Sequence, residues 1–428
     1  MRILRKIPLL VWIIIAIALG VLIGWASRTA GTPVPVRVGA TFGMVFSELL
    51  GFAIPLIILG FIAPGIGSIG QGAGKMLGKA VGIAYTSTVV AGILAVSATL
   101  LIYPTILKGQ TLTVISDPST ALLKPYGTTV GADGVEELPF TLPAIMPVTT
   151  ALILAFVLGL GMAALQSNVL FRVMEEFRFI VEKFLAYVII PLLPIYILTV
   201  FANMTYAGQV QRILAVFGKV FIMVILLHWV FLLLAYSFAG GINKQNPLRL
   251  LGKMMPAYVT ALGTQSSAAT IPVTLRSAKN AGVRERIADF VIPLNANIHL
   301  AGSMITITAC SAAVITMTKG HVPSFDSMLP LILILGVMMV AAPGVPGGAV
   351  MTAVGALQSV LHFNPTMIAL MIALYLAQDS FGTATNVTGD GALAKVLERI
   401  SRKQIEDSAE ATTVTETDTT SEAAALED

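Results

Sequence analysis

Apolar stretches of about 20 residues recur along this chain, at residues 8–27, 40–66, 78–106, 143–166, 178–204 and 213–240. Each is long enough to cross a bilayer as a helix. In hydrocarbon every backbone polar group must be bonded internally, which leaves helices and closed barrels as spanning structures. A barrel needs short alternating segments, and the sequence has none. Charged residues make up 11% of the chain and hydrophobic ones 56%, against roughly 25% charged in a soluble domain. The sequence predicts an all-α polytopic membrane protein.

Charge gives the expected orientation. Arg2, Arg5 and Lys6 place the N-terminus in the cytoplasm under the positive-inside rule, and Lys75, Lys79, Lys244, Arg249 and Lys253 then fall on the same side. The connection 107–142 carries Asp117, Asp133, Glu136 and Glu137 against Lys108 and Lys124, which suits the outside. Arg28 and Arg37 run against this scheme. Residues 406–428 hold eight acidic side chains and no basic one; without them 26 basic residues face 14 acidic ones, or +12. That tail, 403–428, reads as disordered and cytoplasmic. No basic-aromatic pattern of the nucleic-acid-binding kind occurs. The single cysteine, Cys310, excludes an intrachain disulfide. The opening apolar run exceeds a signal peptide's core and reads as a retained first span.

After about residue 245 the pattern changes. The stretch 246–282 is broken by "GTQSSAATIP" and followed by an apolar span at 285–317. The stretch 324–361 is broken by "AAPGVPGGAV" and followed by a final span at about 364–400. Broken segment, then full span, thus occurs twice. Interrupted segments in corresponding positions point to a transporter's binding site between inverted repeats. Each break reads as the tip of a re-entrant hairpin, where backbone amides and carbonyls can approach a ligand.

Polar residues gather on these last spans. Asp379, Thr383, Asn386 and Asp390 are spaced 4, 3 and 4, so on a helix they lie within about 60° of one another, with Gly382 at the border. An aspartate in a transmembrane helix costs roughly 2.5–3.5 kcal/mol on insertion scales; two on one stripe are not lipid-facing. Asn295, His299 and Ser303, each four apart, form a second stripe. His299 is a candidate for cation or proton coupling. His228 stands alone and reads as a structural core histidine, and His321 and His362 sit at loop edges.

With these motifs in order, the chain resembles the dicarboxylate/amino acid:cation symporter family, the glutamate transporter fold. "SSAATIPVTLRSAK" is similar to the first hairpin's serine-rich tip, "APGVPGGAV" to the second tip, and "TNVTGD" to the closing signature of the last helix. The resemblance covers residues 1 to about 402. It implies eight transmembrane helices, two re-entrant helical hairpins and inverted repeats. Residues 1–245 are then mainly scaffold and trimerisation helices, with the third and sixth spans moving with the transport domain. Residues 246–402 are the core of that domain, which moves like an elevator in each protomer of a homotrimer. By the same resemblance Asp379 binds the substrate's amino group, and Asn386 and Ser267 its α-carboxylate. Ser266, Ser303, Val345, Gly347, Gly382 and Thr383 complete the pocket. Asn295, His299, Asn386 and Asp390 correspond to a sodium site, partly through backbone carbonyls, and Tyr85 falls near another.

Four positions depart from the family pattern. Gly382 stands where acidic-amino-acid carriers have an arginine that pairs with a side-chain carboxylate. Gln265 stands where many prokaryotic members have a first-hairpin arginine. The NMDG signature reads "HLAG" at residues 299–302, which puts His299 in place of the asparagine and Ala301 in place of the aspartate. The tip and the missing aspartate resemble the serine/threonine branch, although Gly382 does not.

The expectation is therefore a sodium-coupled symporter of a neutral L-amino acid in the cytoplasmic or inner membrane, with both termini cytoplasmic. Substrate, lipid and two further copies of the chain are the expected partners, and nucleic acid is not. The alternatives are an acidic amino acid or C4-dicarboxylate symporter, and a proton-coupled carrier that uses His299. A non-enzyme is expected: the serines have no local histidine and no HExxH occurs. A channel is the third class, separated from a carrier by uptake against an imposed gradient.

Overall fold

The computed structural model of the chain describes residues 9–70, 75–110, 122–127, 129–130, 136–137, 142–165, 168–339, 342 and 346–401. Val345 and the acidic tail lie outside the described residues.

The first half consists of long helices: α1 (Leu9–Thr29), α2 (Val34–Gly70), α3 (Lys75–Ile106), α4 (Val148–Leu165), α5 (Asn168–Phe184), α6 (Ile190–Tyr206) and α7 (Val210–Asn243), with a π-helical turn at Leu185–Ile189 joining α5 to α6. Lipid tails are as apolar as leucine, so helices here associate through close packing of small residues. α1 shows this: a Cβ added at Gly20 or Gly24 would stand 2.5 Å from Leu198 O or 2.3 Å from Ala202 O of α6. α5 lengthens the expected fifth span backwards, because "NVLFRVMEEFRF" has an apolar helical face that packs on α2.

The second half is made of shorter pieces: α8 (Pro247–Thr264), α9 (Ser267–Asn280), α10 (Glu285–Ile298), α11 (Ala301–Lys319), α12 (Phe325–Met338), α13 (Gly348–Leu361), α14 (Pro365–Leu376) and α15 (Asp379–Ile400). Local chemistry sets several starts. Asn246 and Asn364 cap their helices through Oδ1, each followed by proline at the first helical position, and Ser324 caps α12. α8 packs on α9, and α12 on α13. Among the described residues, seven helical stretches are long and apolar enough to cross a membrane, or eight with the bent pair α14–α15.

Two spans expected to be continuous are broken. α10 and α11 part at His299 and Leu300, both outside helical geometry. α14 and α15 meet at a 59° bend after Leu376. Neither break contains a proline or glycine, so no helix-breaking residue marks it. The stretch 285–319 is buried throughout its most apolar window, against 22% for α1 and for α4. The second half thus forms the core of the molecule, and α1 and α4 present most of their surface outward. At one end α15 is tied to the α9–α10 turn: Lys395 Nζ donates to Gly282 O at 2.7 Å and to Glu398 Oε2 at 2.9 Å, while Glu398 Oε1 accepts from the Arg284 backbone and Nε at 3.0 Å.

Candidate substrate and cation site

Four of the segments singled out in the second half include a helix start, while Asn386 and Asp390 lie inside α15 and Asn295 in the last turn of α10. α9 starts at Ser267, α11 at Ala301, α13 at Gly348 and α15 at Asp379. Helix starts carry unpaired amides and partial positive charge. The breaks in α10–α11 and α14–α15 are therefore what create the site.

At the start of α11 the amides of Gly302 and Ser303 lack helical carbonyl partners. Both point at Asn386 Oδ1, at 2.7 and 3.4 Å, while Asn386 Nδ2 donates to Ser303 Oγ at 3.2 Å. Asn386 thus caps α11 from the neighbouring helix. The fit is tight, because a Cβ at Gly302 would stand 2.3 Å from Gly382 O. Gly382 itself has more room: its Cβ would meet Gly302 C and Ser303 N at 3.5 Å, ordinary contact. His228 supports the same turn from α7, with Nε2 3.0 Å from Gly302 O and 3.1 Å from Thr306 Oγ1. This is the structural placement expected of it.

Asp379 opens α15 rather than lying within a continuous helix. Its Oδ2 accepts from the Gly347 amide at 2.8 Å, so the carboxylate holds the second break's tip. Gly347 adopts φ +77°, where glycine is at ease. Tyr375 Oη donates to Ser303 Oγ at 3.1 Å. Asp379 is 6% exposed, and among the described residues its carboxylate has no basic hydrogen-bond partner. Thr383 is buried on the same helix face. In the first tip Gln265 is left-handed, Ser266 Oγ caps α9 by accepting from Ala269 N at 3.3 Å, and Ser267 is buried. No described hydrogen bond joins Ser266 or Ser267 to Asp379 or Asn386.

About three turns along α15 from Asp379, His299 Nδ1 lies 2.8 Å from Asp390 Oδ1, and His299 Nε2 lies 3.0 Å from Ser87 Oγ of α3. The imidazole rests on Gly389, where a Cβ would come within 2.9 Å of its Cε1. Asp390 Oδ2 and Asn295 Oδ1 are buried without a partner, and His299 N bonds Asn295 O. Unpaired buried oxygens are costly, and oxygens beside an interrupted helix suit a small hard cation. Tyr85, which the resemblance assigns to another sodium site, has its ring against Gly336 of α12.

Ser87 and Tyr375 complete the site without having been singled out in the sequence, while Gly302 and Gly389 belong to the quoted "HLAG" and "TNVTGD". The signal for Ser87 was the polar run "YTST" inside the apolar α3; Tyr375 carried none.

A family model described as "Sodium:dicarboxylate symporter family" matches residues 9–400. Excitatory amino acid transporter 1 of Ambystoma tigrinum is 31% identical over 206 residues, 48% of this chain and 37% of that protein. Its human counterpart is 30% identical over 201 residues, 47% of this chain and 36% of that protein. Human excitatory amino acid transporter 5 is 33% identical over 181 residues, covering 42% and 31%. The matched part thus spans about a third of the relatives' length.

Proposed function

Because the chain belongs to the sodium:dicarboxylate symporter family, we propose that it is a sodium-coupled symporter of neutral L-amino acids. In this reading it has eight spans and two re-entrant hairpins, α8–α9 and α12–α13, and works as a homotrimeric elevator in the cell membrane. The hairpin, elevator and trimer details rest on family resemblance.

The observation that carries the substrate class is Asp379. It is a buried carboxylate that accepts from a backbone amide and has no basic partner among the described residues. A substrate ammonium supplies the missing positive charge. Asn386, Ser303 and the amides of the first tip then face the α-carboxylate, and Gly382 leaves the side-chain end without a fixed cation. The names of the relatives speak of excitatory amino acids; Gly382 separates this chain from an acidic preference. The cation is held at Asp390 and Asn295, beside His299.

The His299–Asp390 contact also favours a second reading of the coupling ion. An imidazole within hydrogen-bond distance of both Asp390 and Ser87 has the geometry to pass a proton between them. Uptake of radiolabelled amino acids into proteoliposomes, under imposed Na⁺ and H⁺ gradients separately, tests both. Uptake of serine, threonine or alanine driven by Na⁺ supports the proposal. Uptake driven by H⁺ alone moves the coupling to His299, and aspartate as best substrate overturns the neutral reading.

A further inference from the structure

Three side chains of α7 reach main-chain carbonyls of the second half. His228 Nε2 lies 3.0 Å from Gly302 O, Tyr236 Oη donates to Thr388 O at 2.7 Å, and Asn243 Nδ2 donates to Lys395 O at 3.2 Å. On a helix the three lie within about 80° of one another, so they form one face. Tyr236 and Asn243 meet carbonyls inside the unbroken α15, whereas His228 meets a residue at the start of α11. A carbonyl oxygen only accepts, so the ring carries its hydrogen on Nε2, and the neutral Nδ1 is an acceptor. That Nδ1 is buried with no hydrogen-bond partner among the described residues, which costs stability. Gly302 O does not need the ring in order to be paired, because Thr306 Oγ1 also donates to it at 3.0 Å. An apolar side chain would therefore serve the fold at position 228. What the imidazole adds is placement.

We propose that His228 is a positioning residue of the substrate site and acts through Gly302 and Asn386. The Gly302 amide donates to Asn386 Oδ1 at 2.7 Å and its carbonyl meets the ring. Gly302 is thus held from α15 on its amide side and from α7 on its carbonyl side. Its packing against Gly382 O leaves no room for a Cβ, so a turn of α11 that slips from this place either clashes with α15 or draws its amide away from Asn386. Among the described residues, every side-chain hydrogen bond of Asn386 goes to this one turn, to the amides of Gly302 and Ser303 and to Ser303 Oγ. Its Nδ2 has a second hydrogen left for a substrate carboxylate. Fixing the turn therefore fixes the direction in which that hydrogen points. The role rests on the reading in which Asn386 faces the substrate's α-carboxylate, and it holds whichever side chain or cation is carried.

The test uses the purified full chain in detergent at saturating Na⁺. Binding of radiolabelled serine and, separately, aspartate is measured beside hydrogen exchange of peptides covering residues 299–306. His228→Leu is expected to weaken binding of the preferred amino acid by at least about fivefold, the scale of one lost hydrogen bond. It should also speed exchange at Gly302 and Ser303 and leave Tm unchanged or higher. His228→Gln, which keeps an N–H for Gly302 O, should restore binding to within about twofold, and the shorter His228→Asn should not. Asn243→Ala removes a bond from the same face of α7 to α15 and should bind like wild type. Unchanged exchange in His228→Leu overturns the proposal and leaves the proposed transport function untouched. Faster exchange with unchanged affinity also overturns it, and takes Asn386 out of the substrate site. Equal weakening by Asn243→Ala would reduce the histidine to general packing. If His228→Leu fails to assemble, the comparison of glutamine with asparagine decides, and equal affinities sink the proposal. A wild type that binds neither amino acid defeats the transport reading and this role with it.

Discussion

His299 Nδ1 and Asp390 Oδ1 are 2.8 Å apart, on side chains buried to within 1% of complete exclusion. Asp390 keeps its other oxygen unpaired, so one carboxylate serves a ring and still has an oxygen to offer a cation. Asp390→Asn preserves shape and removes the charge. It is expected to raise the Na⁺ concentration for half-maximal uptake by at least about tenfold, or about 1.4 kcal/mol. Unchanged Na⁺ dependence in proteoliposomes would make Asp390 structural.

His299→Asn separates the two coupling ions. Under sodium coupling, uptake by this variant stays Na⁺-driven with the pH profile of wild type. Loss of an H⁺-driven component, measured with a pH gradient and no sodium, would instead assign the imidazole the proton.

Asp379→Asn should abolish uptake while leaving assembly intact. A buried carboxylate facing an ammonium contributes several kcal/mol to recognition, and removing one partner strands the other. The Gly347 amide can still donate to the amide oxygen of asparagine, so the second tip stays docked. Near-normal uptake by this variant would refute the amino-group assignment.

At Gly382 the expected effect is on selectivity. The backbone has space for a Cβ, with its nearest neighbours at 3.5 Å. Arginine there would present a permanently charged fork to a substrate carboxylate, whereas glycine leaves an acidic side chain buried and unpaired. Wild type should prefer neutral amino acids by at least about tenfold in competition assays, and Gly382→Arg should weaken them and admit aspartate or glutamate. A wild type that already prefers aspartate would defeat the reading.

Gly302 offers the contrasting case. Its Cβ would stand 2.3 Å from Gly382 O, a backbone atom that cannot swing aside. Gly302→Ala should destabilise the α11–α15 crossing by about 1–3 kcal/mol, read as a lower Tm in detergent. Gly382→Ala should leave Tm within error.

What the sequence disclosed followed from what alters its polarity. The spans, the two interrupted segments and the stripe from Asp379 to Asp390 all change the balance of apolar and polar residues, so spacing alone finds them. The breaks at His299 and after Leu376 are not told apart by it, because a polar stripe of this spacing fits a continuous helix equally well. Each is held by a bond from a distant helix, as when Asn386 caps α11. Such a partner is 84 positions away, and no local pattern encodes it. Ser87 was hidden for the same reason, since its contact with His299 crosses from α3 to the broken span.

The four helix starts have an evolutionary corollary. On the proposed reading, the parts of a substrate shared by all amino acids meet Asp379, Asn386, Ser303 and the amides of the first tip. The part that varies meets position 382, which is a single codon. Chains built this way can change diet one residue at a time, while the machinery that grips the common end passes unaltered from one specificity to the next.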